Sequence, residues 1–310
     1  MTAPVPTILT AEQTAAHLPF DRLCDALADA ARDYAAGRIV SPERQVLPLP
    51  QDGVLLSMPA TAPDIAIHKL VNVCPANGAL GLPTIHGVVA AYDAATGAPL
   101  AILDGPTVTG RRTAGISMLA IRTLARSAPT HVALIGCGTQ SSHHAEALAA
   151  LYPGIRVDAH ARSLDSAEAF CRKHAGLGLD LRATVGAVDP AASVVITLTT
   201  SRQPVYDETP SPDRLLIGVG AFKPEMAEYG STSIHGSEVF LDDPAGGKHE
   251  AGDLIQAGFD WAEARSLVDA LEGRVAPDRP RLFKSVGCAA WDLGAGRCAM
   301  AELRRRPNPR

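Results

Sequence analysis

The apolar positions change period twice along the chain. The first stretch follows a helical period. Thr10-Ala-Glu-Gln13 has the form of a capping box, and beyond it Leu23, Leu27, Ala30, Ala31 and Tyr34 make one stripe of a helix predicted over residues 20–36, stopped by Gly37. From Val46 to Leu103 the pattern becomes short apolar runs broken by Gly and Pro. Strands are predicted at residues 45–49, 53–58, 65–71, 84–92 and 99–103, with Asp93-Ala-Ala-Thr-Gly97 as the turn between the last two. A helix over residues 113–126 leads out of this segment.

Beyond it, strand and helix alternate. Strands at residues 131–135, 155–160, 193–199, 215–220 and 237–241 are apolar throughout, as in a parallel sheet covered on both faces, and helices at 142–151, 165–174, 251–257 and 261–271 fill the intervals. The tail, Leu282-Phe-Lys-Ser-Val-Gly287 and a small-residue helix at 288–303, is too short for a domain and returns to the first segment. The expected architecture is α/β: a Rossmann-type dinucleotide-binding domain over residues 126–282, and a discontinuous α+β substrate and dimerisation domain from residues 1–125 and 283–310.

Bulk properties exclude more than they assign. The chain has 310 residues, 46% hydrophobic and 20% charged, with a net charge of −5, which suits a folded protein and gives no reason to expect nucleic acid or an anionic membrane as partner. Arg304-Arg305-Arg306 and Arg310 form a small basic tail, read as a solvated end. No apolar run approaches the roughly 20 residues of a membrane span. Met1-Thr-Ala-Pro-Val-Pro6 lacks the apolar core of a signal peptide. Cys24, Cys74, Cys137, Cys171, Cys288 and Cys298 include no C-x-x-C pair, and the ten histidines make no H-E-x-x-H. The expectation is a cytoplasmic protein without a metal.

The stretch with the sharpest chemistry is His131-Val-Ala-Leu-Ile-Gly-Cys-Gly-Thr-Gln-Ser-Ser142. It reads as strand, Gly turn and helix start, where Gly136 permits the turn and Gly138 lets backbone amides approach a pyrophosphate at the helix N-terminus. Ser141 stands at the third position of G-x-G-x-x-G, and Cys137 is a small filler. An ordinary βα turn would look similar, so the surroundings decide. An NAD-binding fold of this kind carries an acid near the tip of the second strand. Here the tip is His160-Ala161-Arg162-Ser163, with a guanidinium suited to a 2′-phosphate. NADPH is the expected cofactor, with NADH a weaker substitute; a solvent-exposed Arg at a helix start is the alternative reading of Arg162.

Several ordered motifs then resemble the ornithine cyclodeaminase/mu-crystallin family. They are Lys69-Leu-Val-Asn72, Gly81-Leu-Pro-Thr-Ile-His-Gly87, Thr96-Gly97 with Asp104-Gly105, Thr109-Gly-Arg-Arg-Thr-Ala-Gly-Ile-Ser117, Gly136-Cys-Gly-Thr-Gln140, Val219-Gly-Ala-Phe-Lys-Pro-Glu-Met226, His249-Glu-Ala-Gly-Asp-Leu254 and Phe283-Lys-Ser-Val-Gly287. The likeness runs from about Arg44 to Ala299. That family contains cyclodeaminases, alanine dehydrogenases, cyclic ketimine reductases and a mammalian thyroid-hormone binder.

The resemblance implies a homodimer with its substrate pocket and dimer sheet in the first domain. It implies that Lys69 and Arg112 face the substrate, with Arg44 nearby and His86 either touching substrate or packed in the sheet. Thr84 and Arg112 would border the nicotinamide and phosphates, and Thr139 and Gln140 would offer amides to the pyrophosphate beside Gly136 and Gly138. Ala161, Arg162 and Ser163 would hold the 2′-phosphate side. Thr199 or Thr200, with Val219, Gly220 and Ala221, would line the cofactor, and Ser285 would close over the nicotinamide. The chemistry agrees: a substrate carboxylate wants Arg, and a desolvated strand lysine can give a proton near neutrality. A snorkelling lysine is the alternative for Lys69.

One position departs from the cyclodeaminase pattern. Those members carry Asp where this chain has Phe222, and Phe has no proton to exchange and no lone pair to direct water. The expected reaction is therefore hydride addition to the C=N of a small cyclic imino acid. Δ1-Pyrroline-2-carboxylate would give L-proline and Δ1-piperideine-2-carboxylate L-pipecolate, with Lys69 as proton donor. Ornithine cyclodeamination, an alanine dehydrogenase-like reaction, and non-catalytic binding of NADPH with a small acid are the alternatives.

Overall fold

The computed structural model describes residues 5–305 and divides the chain into two units, residues up to 112 with those from 288 onward, and residues 113–287. The expected boundaries, 125/126 and 282/283, fall elsewhere because a strand and a helix claim those residues, as described below. Met1 of the N-terminal stretch, and Arg306 and Arg310 of the basic tail, lie outside the described residues.

In the first unit β1 (Thr7–Ile8) precedes α1 (Ala11–Ala16) and α2 (Phe20–Ala35). The capping box forms: Thr10 Oγ1 accepts from Gln13 N at 3.3 Å, while Thr10 N donates to Gln13 Oε1 at 2.9 Å. Strands β2 (Gln45–Leu49), β3 (Gly53–Thr61), β4 (Ile65–Val73), β5 (Ile85–Asp93) and β6 (Pro99–Asp104) follow. They form one sheet in the order β1-β6-β5-β4-β3-β2, antiparallel except where β1 runs parallel to β6. Helix α3 (Gly105–Leu124) starts eight residues before the expected position. Asp104 Oδ1 accepts from Thr107 N at 2.8 Å, so an Asp cap begins the helix through Gly and Pro that by propensity read as turn.

The second unit is a parallel sheet. Its strands are β7 (His131–Ile135), β8 (Arg156–His160), β9 (Asp180–Thr184), β10 (Val194–Thr197), β11 (Leu215–Gly218), β12 (Glu238–Leu241), β13 (Arg265–Ser266) and β14 (Arg281–Lys284), in the order β13-β12-β14-β11-β10-β7-β8-β9. Helices α4 (Thr139–Leu151), α5 (Leu164–His174), α6 (Ser231–His235), α7 (Pro244–Glu250), α8 (Gly252–Gln256) and α9 (Leu267–Leu271) connect them. The central six strands, β9-β8-β7-β10-β11-β14, reproduce the doubly wound order in which the chain reverses direction between β7 and β10. Because β14 pairs with β11 and β12, residues 281–284 belong to this sheet.

The expected helix at 261–271 is three pieces: Asp260 caps a single turn at Trp261–Glu263, β13 follows, and a Ser266–Asp269 capping box starts α9. Strand β9, with its alternating polar residues, escapes a reading tuned to apolar runs. The chain then returns to the first unit as α10 (Ala289–Arg305), which packs on α2 and on the face of β3, β4 and β5. Among the described residues no helix is long and apolar enough to cross a membrane, and the six cysteines form no disulfide.

Candidate active site

Strand β4 alternates, and its inward positions are Ile65, Ile67, Lys69 and Val71. A lysine therefore occupies a core-facing position, 3% exposed, where the pattern demands an apolar side chain. Its partner is Asp292 of α10: Lys69 Nζ lies 2.7 Å from Asp292 Oδ2, an ion pair in distance although Oδ2 takes no aligned hydrogen bond. Arg112 Nε donates to Asp292 Oδ1 at 3.2 Å, and both of these side chains are buried. Burial drives the Lys69 ammonium down to about 8. Asp292 opposes that drop, and the positive charges of Arg112 and Arg44 reinforce it. Two buried cations, Lys69 and Arg112, thus share one carboxylate, and an anionic ligand would balance the second charge.

Other expected residues of this unit stand apart. Lys69 pairs with Val89 and Asn72 with His86, so His86 projects from the opposite sheet face to Lys69, where it is exposed. Thr84 is exposed in the turn before β5.

In the second unit the Gly turn has the geometry its chemistry needs. Gly136 has φ +115°, and a Cβ there would sit 2.7 Å from Leu198 O. Ser141 Oγ donates to Gly136 O at 2.8 Å, binding the turn to the helix it opens. Gly138 leaves the N-terminus of α4 without a side-chain cap, so its first amides are available to an anion, and Gln140 Oε1 is buried without a partner. A cavity of about 790 Å³ opens there, lined by Gly136, Gly138, Ala161, Arg162, Thr199 and Thr200 among others. Arg162 is exposed and forms no ion pair among the described residues. The two acids in the lining are engaged elsewhere: Asp207 accepts from Ser233 N at 3.0 Å, and Glu208 from Arg214 Nη1 at 3.0 Å. The donors, the turn and the volume fit a dinucleotide.

Several expected cofactor residues have protein partners. Ser163 caps α5 by accepting from Ser166 N, and Ser285 Oγ donates to Asp242 Oδ2 at 2.8 Å. Thr199, Gly220 and Ala221 all donate to Glu228. Val219 is buried, and Phe222 is 41% exposed. Cys137 Sγ donates to His160 O at 3.6 Å, and burial pushes its thiol up to about 11, which leaves it unreactive filler.

Sequence reasoning missed Asp292, Glu228 and Asp253, the last being the partner of the fully buried Lys284 at 3.2 Å. Asp292 carried a signal, as the one acid inside Ala289-Ala-Trp-Asp-Leu-Gly-Ala295. Lys284 carried another, a cation within an apolar strand. Nothing local distinguishes Glu228 from a surface glutamate.

Residues 5–304 match the family model described as the ornithine cyclodeaminase/mu-crystallin family. A Δ1-pyrroline-2-carboxylate/Δ1-piperideine-2-carboxylate reductase of Azospirillum brasilense is 53% identical over 305 residues, 98% of each chain. A Δ1-pyrroline-2-carboxylate reductase 2 of Burkholderia ambifaria is 52% identical over 96% of each. Among solved structures, an archaeal alanine dehydrogenase dimer with bound NAD superposes with a TM-score of 0.86 at 25% identity, covering 98% of both chains. The Thermococcus litoralis Δ1-pyrroline-2-carboxylate reductase has the same fold, with a TM-score of 0.81 at 22% identity over 96% of this chain and 95% of that one. With the whole length matched and half its residues shared with such relatives, the chain belongs to the ornithine cyclodeaminase/mu-crystallin family.

Proposed function

We propose that this protein is an NAD(P)H-dependent reductase of cyclic ketimino acids, turning Δ1-pyrroline-2-carboxylate into L-proline and Δ1-piperideine-2-carboxylate into L-pipecolate. The observation that carries the reading is Lys69, a core-facing strand lysine whose ammonium sits near 8 beside Asp292 and Arg112. Relatives at 52% and 53% identity bear the names of such reductases.

Arg112, with Arg44, takes the substrate carboxylate, whose negative charge and paired oxygens suit a guanidinium. Lys69 holds its proton toward the imine nitrogen, because iminium is a far better hydride acceptor than the neutral imine. Reduced nicotinamide, when bound, supplies the hydride to the imine carbon. The C=N double bond becomes a C–N single bond with a new C–H and a new N–H, Lys69 is left neutral, and it regains its proton from solvent. Its lowered pKa makes both transfers easy near neutrality.

Arg162 at the tip of β8, with no free acid in the lining, favours NADPH over NADH. The sheet face opposite α10 carries Leu47, Leu70 and Val88 at 56%, 39% and 41% exposure, an apolar surface that suits pairing with a second copy of the chain. Six cysteines without a disulfide suit the cytoplasm.

The test is oxidation of NADPH on addition of either cyclic imine. A rate no greater than that of a Lys69→Met variant would overturn the proposal.

A further inference from the structure

The loops that follow β10 and β11 are tied to one carboxylate. Glu228 is fully buried and accepts four hydrogen bonds. Its Oε1 accepts from Thr199 N at 2.6 Å and Thr199 Oγ1 at 2.9 Å, and its Oε2 from Gly220 N at 2.6 Å and Ala221 N at 3.1 Å. Its carbonyl accepts from Val205 N at 2.8 Å and Tyr206 N at 3.1 Å. Burial raises the pKa of Glu228, while four donors aimed at its two oxygens and the nearby Lys284 favour the carboxylate form. The positive charge of fully buried Lys284, itself paired to Asp253, offsets it. A Cβ on Gly220 would overlap Thr199 O, so only glycine lets the two loops close over the carboxylate.

Thr199, Val205 and Tyr206 line the dinucleotide cavity, on the side away from Ala161 and Arg162 in strand order. In a doubly wound sheet of this order the adenosine half lies toward the second strand, here β8, and the nicotinamide half across the reversal, over β10 and β11. We infer that Glu228 is a positioning residue for the nicotinamide half of the cofactor. It fixes both loops that floor that half, and the adenosine half-site on β7, β8 and α4 takes no bond from it. The inference rests on the dinucleotide reading above.

A glutamine keeps the size but turns an NH2 toward two of the four donors, which frees one loop. The experiment is calorimetric titration of wild-type protein, E228Q and T199V with NADPH and with 2′,5′-ADP, which carries the adenosine half alone. If the wild type prefers NADH, the pair becomes NADH and ADP. E228Q is expected to weaken NADPH at least about tenfold and 2′,5′-ADP less than about twofold, the loss of charge-assisted bonds being confined to one half-site. T199V, a smaller lesion that keeps the Thr199 amide bond to Glu228 and removes the two bonds of Oγ1, to Glu228 and from Ser201 N, is expected to weaken NADPH about threefold with the same selectivity, and it carries the test if E228Q does not fold. Parallel losses for both ligands, or unchanged NADPH binding in the folded variants, would overturn the inference. A wild type that binds no dinucleotide would overturn the reading beneath it as well.

Discussion

Lys69 Nζ and Asp292 Oδ2 lie 2.7 Å apart with both side chains withdrawn from solvent, one on a sheet strand and the other on the last helix. The pair sets the acidity of Lys69, the proposed proton donor. Asp292 alone, among the groups acting on Lys69, raises its pKa; burial, Arg112 and Arg44 lower it to about 8. As a general acid Lys69 works in its protonated form, so kcat/KM for imine reduction should be full below about pH 8 and decline above it. Removing the counter-charge by Asp292→Asn should move that decline to lower pH by about one unit or more. The same change leaves two buried cations unpaired and should cost about 3–5 kcal/mol of stability. pH–rate profiles and denaturant unfolding of the two proteins check both, and an unmoved alkaline limb would separate Asp292 from proton transfer.

Much of this site was legible in the chain. Lys69 and Arg112 came from motifs in order, and β2 and β7 have the expected bounds because their ends are marked by Pro, Gly or charge. Asp292 was hidden because its partner lies 223 positions away in sequence, and only the return of α10 onto β4 brings them together. The face of His86 was legible in principle. Strand alternation puts Asn72, and with it His86, on the side opposite Lys69, but only once the β4–β5 register is known. Helix α3 began early because a single Asp cap outweighed the turn propensity of Gly105 and Pro106.

Arg162 stands at the rim of the dinucleotide cavity with no carboxylate partner among the described residues. If it grips a 2′-phosphate, Arg162→Ala should weaken NADPH by about 1.5–3 kcal/mol while leaving NADH nearly unchanged. Fluorescence titration of both cofactors reads the difference directly. Equal losses for the two would mean that the guanidinium meets only groups they share.

His144 gives the second unit an acid limit. Its ring is fully buried between Ser117 Oγ at 2.9 Å and Gln140 O at 2.8 Å, and burial drives its pKa from 6.5 to about 4. The folded state prefers the neutral ring. Its stabilising contribution is therefore complete above the unfolded value of 6.5 and is lost as pH falls from 6.5 toward 4. The loss is on the order of 3 kcal/mol across that window. His160 and His174 are lowered by burial in the same direction, so the comparison must be with a single variant. His144→Gln, which keeps polar atoms for Ser117, should flatten the fall in unfolding free energy between pH 7 and pH 5. A curve parallel to that of the wild type would assign the acid sensitivity to other groups.

We propose that Phe222 sets this chain apart from the cyclodeaminases. It follows directly on Ala221, whose amide is held by Glu228, so the backbone at this point is fixed even though the ring is 41% exposed. Deamination of ornithine needs a group here that takes a proton from the amine or directs a water, and a phenyl ring does neither. With NAD(P)+ supplied, the wild type should release no ammonia from L-ornithine above a no-enzyme control while it reduces the cyclic imines. Phe222→Asp adds the missing carboxylate at a position with room for it, and should leave imine reduction within about tenfold of wild type, since Lys69 and Arg112 are unaltered. Ammonia release by the wild type, measured with a coupled dehydrogenase, would show that the proton steps of deamination are served from somewhere other than this position.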